Sequence, residues 1–271
     1  MAVRTFEWQE GRARLLFEAR SLAEASAGLP TGAYTSLRTY AANRVVRLSQ
    51  HLRRLEESVA LQSGPAPLDA GAARSLLAQA LRASRHEESR VRLTFAPPRL
   101  FASLEPFEPL PEALYREGVA CVTLPLRREN PHAKDTRFIA TAARAYGSLP
   151  TGVHEGLLVG EDGSLLEGLT SNFFAVQDLA LHTEEGRVLA GVTRALVLEV
   201  AVDVLPVRMT AVRKDDLGAL GEAFLTSVSR EVLPVVRVDD QVLGSGRPGA
   251  ATSSIRERLA DLVRREARPV E

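Results

Sequence analysis

The chain predicts an α+β fold in two domains. Three observations carry that expectation. Short strand-like and helix-like stretches mix without strict β-α alternation. The length, 271 residues, exceeds what one compact core usually absorbs. A polar, irregular stretch, Arg127-Arg-Glu-Asn-Pro-His132, interrupts the pattern near the middle. The expected division is a small α+β N-terminal domain over 1–126, an interdomain loop over 127–133, and a larger C-terminal domain over 134–271.

Residues 1–30 alternate short apolar and charged stretches and end at Gly28-Leu-Pro30. Residues 33–40 and 43–48 read as two strands around a turn at Ala41-Ala42-Asn43. Ser49 is placed to cap a helix from Gln50 to about Leu61, with Leu52, Leu55 and Val59 as its apolar stripe. Gly64-Pro-Ala-Pro67 is a loop, and a second helix runs from Asp69 to about Ser84. Arg90–Phe95 and Phe101–Leu104 read as paired strands. A helix over about Thr136–Tyr146 ends at Gly147 and Pro150. Gly156–Gly160 and Leu165–Glu167 form a hairpin around Asp162-Gly163. Asn172–Val176 is a strand. Gly191-Val-Thr193 opens a helix with Leu196, Val197, Val200 and Val204 on its buried side. Strands over Glu222–Leu225 and Val235–Val238, and a helix from about Ser253, complete the chain.

Composition narrows the function classes. Apolar residues make up 45% and charged residues 25%, the balance of a soluble globular protein. No run of 18 apolar residues suggests a membrane span. The first ten residues carry Arg4, Glu7 and Glu10 and lack the apolar core of a signal peptide, so a cytoplasmic location is expected. Net charge is zero, without the basic excess of a nucleic-acid binder. The lone cysteine, Cys121, sits in the apolar run Gly118–Pro125 and reads as a small core residue. No metal-ligand pattern is apparent.

Lysine occurs only at Lys134 and Lys214; every other basic position is arginine. An amine can lose its proton and attack a carbonyl, and a guanidinium cannot. Lys134 follows the irregular stretch and precedes a helix, where a side chain can face a cleft. Lys214, in Arg213-Lys-Asp-Asp216, reads as a solvated surface charge. Glu167 ends a hairpin strand beside Gly168. Gly191-Val-Thr193 is a bare helix start, whose N–H groups and dipole suit a phosphate. Arg54 lies on a helix near His51 and Ser58. Taken singly, each of these also fits an ordinary surface or turn role.

Their order and spacing say more. His51-x-x-Arg54-Leu55, the hairpin ending Glu167-Gly-x-x-Ser-Asn172-Phe, and Gly191-Val-Thr-Arg194 together resemble the class IV aminotransferases. That family includes branched-chain and D-amino acid aminotransferases and aminodeoxychorismate lyase. The resemblance runs from about residue 30 to 255 and implies a two-domain fold-type IV enzyme dependent on pyridoxal 5′-phosphate. By that resemblance Lys134 is the Schiff-base lysine that later moves the α-proton, and Glu167 faces the pyridine nitrogen. Arg54 and the backbone N–H groups of Val192 and Thr193 hold the cofactor phosphate. Asn172 supports the cofactor loop, and Tyr34 is an aromatic wall of the substrate pocket. A homodimer is implied, with the pocket roofed by the partner chain.

The chain departs from the family pattern in places. Phe138 stands where some relatives have tyrosine, and Arg137 where many have asparagine. Val228 stands where relatives often have threonine, so Ser227 or Ser229 is expected to supply that hydroxyl. The strand Arg90-Val-Arg92-Leu93 keeps the arginine of a Tyr-x-Arg-Pro motif, which makes Arg92 a candidate for a substrate carboxylate. The expected reaction is transfer of an amino group between a branched-chain-like amino acid and a 2-oxo acid. The alternative is aminodeoxychorismate lyase, giving 4-aminobenzoate and pyruvate. A third reading is a cofactor-binding protein without turnover.

Overall fold

The structure, a computed structural model, describes residues 2–271. Its contacts divide the chain into two compact units. The first holds the residues up to Glu108, with His132–Ala143 and Arg265–Glu271; the second holds Pro109–Pro131 and Arg144–Arg264. This division differs from a single boundary at 127–133. Residues 119–124 group with the second unit because they pair with strands there. Lys134 groups with the first because Asp135 bridges to Ala33, and the Tyr34 N–H donates to the Lys134 carbonyl at 2.9 Å.

In the first unit, residues 1–30 carry more structure than their pattern suggests: a hairpin of β1 (Val3–Gln9) and β2 (Arg12–Ala19), then α1 (Leu22–Ala27). There follow β3 (Ala33–Arg38), β4 (Arg44–Val45), α2 (Leu48–Ser63), α3 (Ala70–Ser84), β5 (Ser89–Ala96) and β6 (Arg99–Pro106). The sheet order is β2-β1-β6-β5-β3. The expected turn between β3 and β4 forms, with Tyr40 and Arg44 bridged and Ala41 and Ala42 at positive φ.

Helix α2 starts earlier than expected. Its N-cap is Arg47, left-handed at φ 52°, and no side chain caps it. Ser49 therefore lies inside the helix and accepts from Arg74 Nη2 at 2.8 Å instead. Asp69, expected as the first residue of the second helix, is instead the N-cap of α3, accepting from the Ala72 N–H at 2.9 Å. The predicted stripe Leu52, Leu55 and Val59 packs with Leu76, Leu77, Leu37, Leu93 and Leu104 in one buried cluster. Each such side chain contributes about 1.5–3 kcal/mol by leaving water. The C-terminal residues Arg268–Pro269 pair with β4.

The second unit contains α4 (Glu112–Glu117) and β7 (Val119–Leu124). After α5 (Arg137–Gly147), whose first turns group with the first unit, come β8 (Val153–Val159), β9 (Leu165–Gly168), β10 (Asn172–Gln177) and β11 (Ala180–His182). Then follow α6 (Val192–Ala201), β12 (Val207–Arg208), a 3-10 turn over Lys214–Ala219, β13 (Glu222–Ser227), β14 (Glu231–Val238), β15 (Gln241–Val242) and α7 (Ala250–Glu266).

The strands run β10-β13-β14-β7-β8-β9, and β9 pairs back to β10 through Glu167 and Asn172, so the sheet closes into a ring. Leu157, Leu165, Phe173, Leu225, Leu233, Val235 and Cys121 fill one buried cluster on its inner face. Burial pushes the Cys121 thiol up, consistent with a packing role.

A register shift in the β8–β9 pair sets up the site. Leu165 and Gly168 both oppose inner-face positions of β8, so the irregularity between them turns Glu167 to the outer face. Asn172, Phe174, Phe224 and Thr226 share that face across β10 and β13, and the two phenyl rings stack at 4.9 Å.

Candidate active site

In the first unit the structure gathers Lys134, Tyr34, Arg54 and Arg92. The Lys134 N–H donates to Ser58 Oγ at 3.1 Å, and Ser58 Oγ donates to the Arg54 carbonyl at 2.7 Å. The loop carrying the lysine is thus tied to the helix carrying the arginine. Lys134 Nζ stands 4.9 Å from the Tyr34 ring centroid, and the Arg92 guanidinium 4.8 Å from it. Both cations meet the electron-rich ring.

Thr35 and His51 complete this cluster. Arg54 Nη2 donates to Thr35 Oγ1 at 2.8 Å, and Thr35 Oγ1 lies 2.9 Å from His51 Nδ1. Burial, and then the nearby charges of Arg54 and Lys134, hold the His51 imidazole well below its usual pKa. It is therefore neutral. Burial also lowers Arg54, to about 10. Arg92 Nη1 donates to the Leu22 carbonyl at 2.8 Å and to Ser26 Oγ at 2.6 Å.

In the second unit the structure gathers Glu167, Asn172 and the start of α6. Glu167 Oε2 accepts from the Leu189 N–H at 3.2 Å and from Asn172 Nδ2 at 3.4 Å. Arg128 Nε lies 3.1 Å from Glu167 Oε1, with both side chains buried. An arginine and a backbone N–H thus supply positive partners to a carboxyl group removed from water. Asn172 Nδ2 also donates to the Leu189 carbonyl at 2.8 Å.

Helix α6 begins at Val192 with Gly191 as its N-cap and no side-chain cap, so the N–H groups of Val192 and Thr193 head a helix without a competing side-chain acceptor. A Cβ on Gly191 would stand 2.2 Å from Asn172 Oδ1. Glycine is what lets the helix start approach Asn172 this closely. Ser227 ends β13, and Ser229 follows in the turn before β14. The Ser227 Oγ and Thr226 Oγ1 atoms are buried with no hydrogen-bond partner.

These features fit pyridoxal phosphate. A buried carboxylate beside an arginine suits a pyridine nitrogen, and bare helix amides with unsatisfied hydroxyls suit a phosphate. Sequence patterns alone gave Thr35, Ser58 and Arg128 no role. Ser58 and Thr35 adjoin the motif residues, but what each contacts is set by tertiary packing. Arg128 sits in an irregular stretch without periodicity. Lys214 is not simply solvated: its amine donates to Thr123 Oγ1 at 2.6 Å and pairs with Asp239 at 3.0 Å. Among the described residues no group of His, Cys, Asp and Glu is arranged for a metal ion, and no helix is long and apolar enough to cross a membrane.

Known proteins share this arrangement of chain. Residues 32–238 match the family described as Amino-transferase class IV. A Methanocaldococcus jannaschii protein provisionally named a branched-chain-amino-acid aminotransferase is 24% identical over 253 residues, covering 85% of this chain and 86% of that one. D-alanine aminotransferase of Bacillus licheniformis is 29% identical over 157 residues, 56% of this chain and 55% of its own length. The solved branched-chain aminotransferase of the archaeon Thermoproteus uzoniensis, with norvaline, superposes with a TM-score of 0.82 at 23% identity, over 100% of both chains. These relatives carry aminotransferase names, which favours amino transfer over the lyase alternative. With the family matched across most of its length, the chain belongs to the class IV aminotransferases and is a pyridoxal-phosphate-dependent aminotransferase of fold type IV.

Proposed function

We propose that the protein moves the amino group of a branched-chain-like amino acid to a 2-oxo acid, with Lys134 as the reacting amine. The observation that carries the proposal is the setting of Glu167, a buried carboxylate in contact with Arg128, Asn172 and the Leu189 N–H. A carboxylate there would favour a protonated pyridine nitrogen. Pyridoxal phosphate, when bound, supplies the carbonyl that accepts the amino group and the ring that draws electrons from the substrate Cα.

The chain's own residues do the rest. Lys134 Nζ, set over the Tyr34 ring, takes the proton from the substrate Cα and returns it. Arg54, fixed through Thr35, and the amides of Val192 and Thr193 hold the phosphate, with Ser227 and Ser229 adding hydroxyls from the end of β13. Anchoring the phosphate at these groups would hold the ring in one orientation during the proton transfers. Tyr34 forms a wall for the substrate side chain. Arg92 meets the substrate carboxylate with the donors that Leu22 and Ser26 leave over. The working form is a homodimer, and the substrates are small amino acids and 2-oxo acids.

The branched-chain preference draws on the names of the M. jannaschii and T. uzoniensis relatives. Its test is the first half-reaction. Cofactor-loaded protein is mixed singly with L- and D-amino acids, without an acceptor, and the cofactor absorbance is followed. L-leucine, L-isoleucine and L-valine are expected to convert the cofactor to its amino form. Conversion by D-alanine alone overturns the substrate assignment. Sedimentation of a fully active monomer overturns the dimer.

A further inference from the structure

We propose that Thr226 is a further cofactor-binding residue, its hydroxyl donating a hydrogen bond to the phosphate. The proposal rests on the reading of the second unit as cofactor-binding. Antiparallel pairing places Glu167 opposite Asn172 and Asn172 opposite Thr226, so the three form a row across β9, β10 and β13. Directly opposed residues of an antiparallel pair project to the same face. The start of α6 also lies against this face, because Asn172 Oδ1 is what a Cβ on Gly191 would strike.

Within this row every polar side chain is engaged except one. Glu167 and Asn172 bond to each other and to the backbone of Leu189. Thr226 is 1% exposed, and its Oγ1 has no hydrogen-bond partner. A buried hydroxyl without a partner costs stability, and native chains rarely keep one. Valine has nearly the same shape and no such cost. The flanking strand residues Phe224 and Leu225 are apolar and fully buried, so packing alone gives no reason for a hydroxyl at 226.

Position selects the phosphate over the ring nitrogen. Glu167 and Thr226 are separated by two strand spacings, roughly 10 Å. Thr226 therefore lies at the far end of the row from the carboxylate, beyond reach of a group that Glu167 contacts. Asn172, between them, reaches both Glu167 and the α6 start. The Thr226 hydroxyl adds a side-chain donor to the amides of Val192 and Thr193, and an anion there accepts from all three.

The test compares Thr226→Val and Thr226→Ser with the unaltered protein. Three quantities are measured: the thermal midpoint of the apoprotein, the affinity for pyridoxal 5′-phosphate, and the affinity for pyridoxal, which lacks the phosphate. Thr226→Val is expected to leave the apoprotein midpoint unchanged or raised, and to weaken pyridoxal 5′-phosphate roughly 10- to 100-fold. Its pyridoxal affinity stays unchanged, and Thr226→Ser keeps the affinity for both ligands. A structural residue would not move stability and cofactor affinity in opposite directions. Unchanged pyridoxal 5′-phosphate affinity in Thr226→Val overturns the proposal. So does equal weakening toward both ligands, which would place the hydroxyl at the ring. Failure of the unaltered protein to bind pyridoxal 5′-phosphate overturns the cofactor reading itself, and this inference with it.

Discussion

Glu155 and Arg230 form a buried ion pair at 2.8 Å, with the carboxylate wholly removed from solvent. The Tyr146 hydroxyl joins them, donating to Glu155 Oε1 at 2.5 Å and accepting from Arg230 Nη2 at 3.0 Å. Ser171 Oγ donates to the other Glu155 oxygen at 3.0 Å. Arg230 directly follows the Ser227–Ser229 stretch, and Ser171 directly precedes Asn172. The pair thus ties the turn after Glu167 to the turn after β13. A Cβ on Gly168 would stand 2.2 Å from Ser171 Oγ and 3.0 Å from Glu155 Cγ, so glycine permits the closeness of this packing.

Removing one partner leaves the other charge buried and uncompensated. Arg230→Leu is expected to cost about 3–5 kcal/mol of stability. Urea unfolding checks it. A loss below about 1 kcal/mol would show that the pair is solvated in solution and does not brace the two turns.

Arg128 braces Glu167 from a different side. Its Nη2 also donates to the Leu169 carbonyl at 3.0 Å, just past the carboxylate in the chain. Arg128→Gln is expected to weaken cofactor binding, and to do so through Glu167. In a double-mutant cycle with Glu167→Gln the two effects should therefore couple by about 1 kcal/mol or more. Additive effects on cofactor affinity would show that Arg128 acts on the fold generally.

His51 predicts a pH effect of definite sign. Its folded pKa lies well below 6.5, the value expected when unfolded. Below about pH 6.5 the unfolded chain binds a proton that the folded chain refuses, so stability falls as pH falls. The slope reaches about 1.4 kcal/mol per pH unit until the folded value is passed. His86 and His154 are lowered too, by burial first, and act in the same sense. The informative quantity is therefore the difference between the parent and His51→Asn. The variant should show the shallower acid-side slope in urea titrations, and parallel slopes would mean that His51 titrates freely in the fold.

Much of this was legible in the sequence, for physical reasons that differ by element. The helices over 50–61 and 69–84 were readable because helical spacing of apolar residues, such as Leu52, Leu55 and Val59, is a local signal. The β1–β2 hairpin was not. The β2 strand leaves Leu15 and Leu16 exposed at a sheet edge, so the in-out alternation that marks a half-buried strand is absent. The direction of Glu167 depends on a register shift between β8 and β9, a tertiary event with no pattern in the chain. Lys134 stood out through rarity and motif order. Its grouping with the first unit follows from contacts to Tyr34 and Ser58, which lie far from it in sequence.

The two lysines give the sharpest contrast. Lys214 donates to Thr123 and pairs with Asp239 at a half-exposed position. Lys214→Arg keeps the charge and the donors, and partly solvated pairs are worth little, so it should change stability by less than about 1 kcal/mol and leave turnover intact. Lys134→Arg also keeps a cation over Tyr34, so its thermal midpoint should stay near that of the parent. Turnover should nevertheless be lost, because a guanidinium neither condenses with a carbonyl nor shuttles a proton near neutral pH. Having only these two lysines makes the chemistry directly mappable. Borohydride reduction of the cofactor-loaded protein followed by peptide mass analysis should place the added pyridoxyl mass on the peptide containing Lys134 alone. Label on the Lys214 peptide, or steady turnover by Lys134→Arg, would remove Lys134 from the reaction while leaving the family and fold untouched.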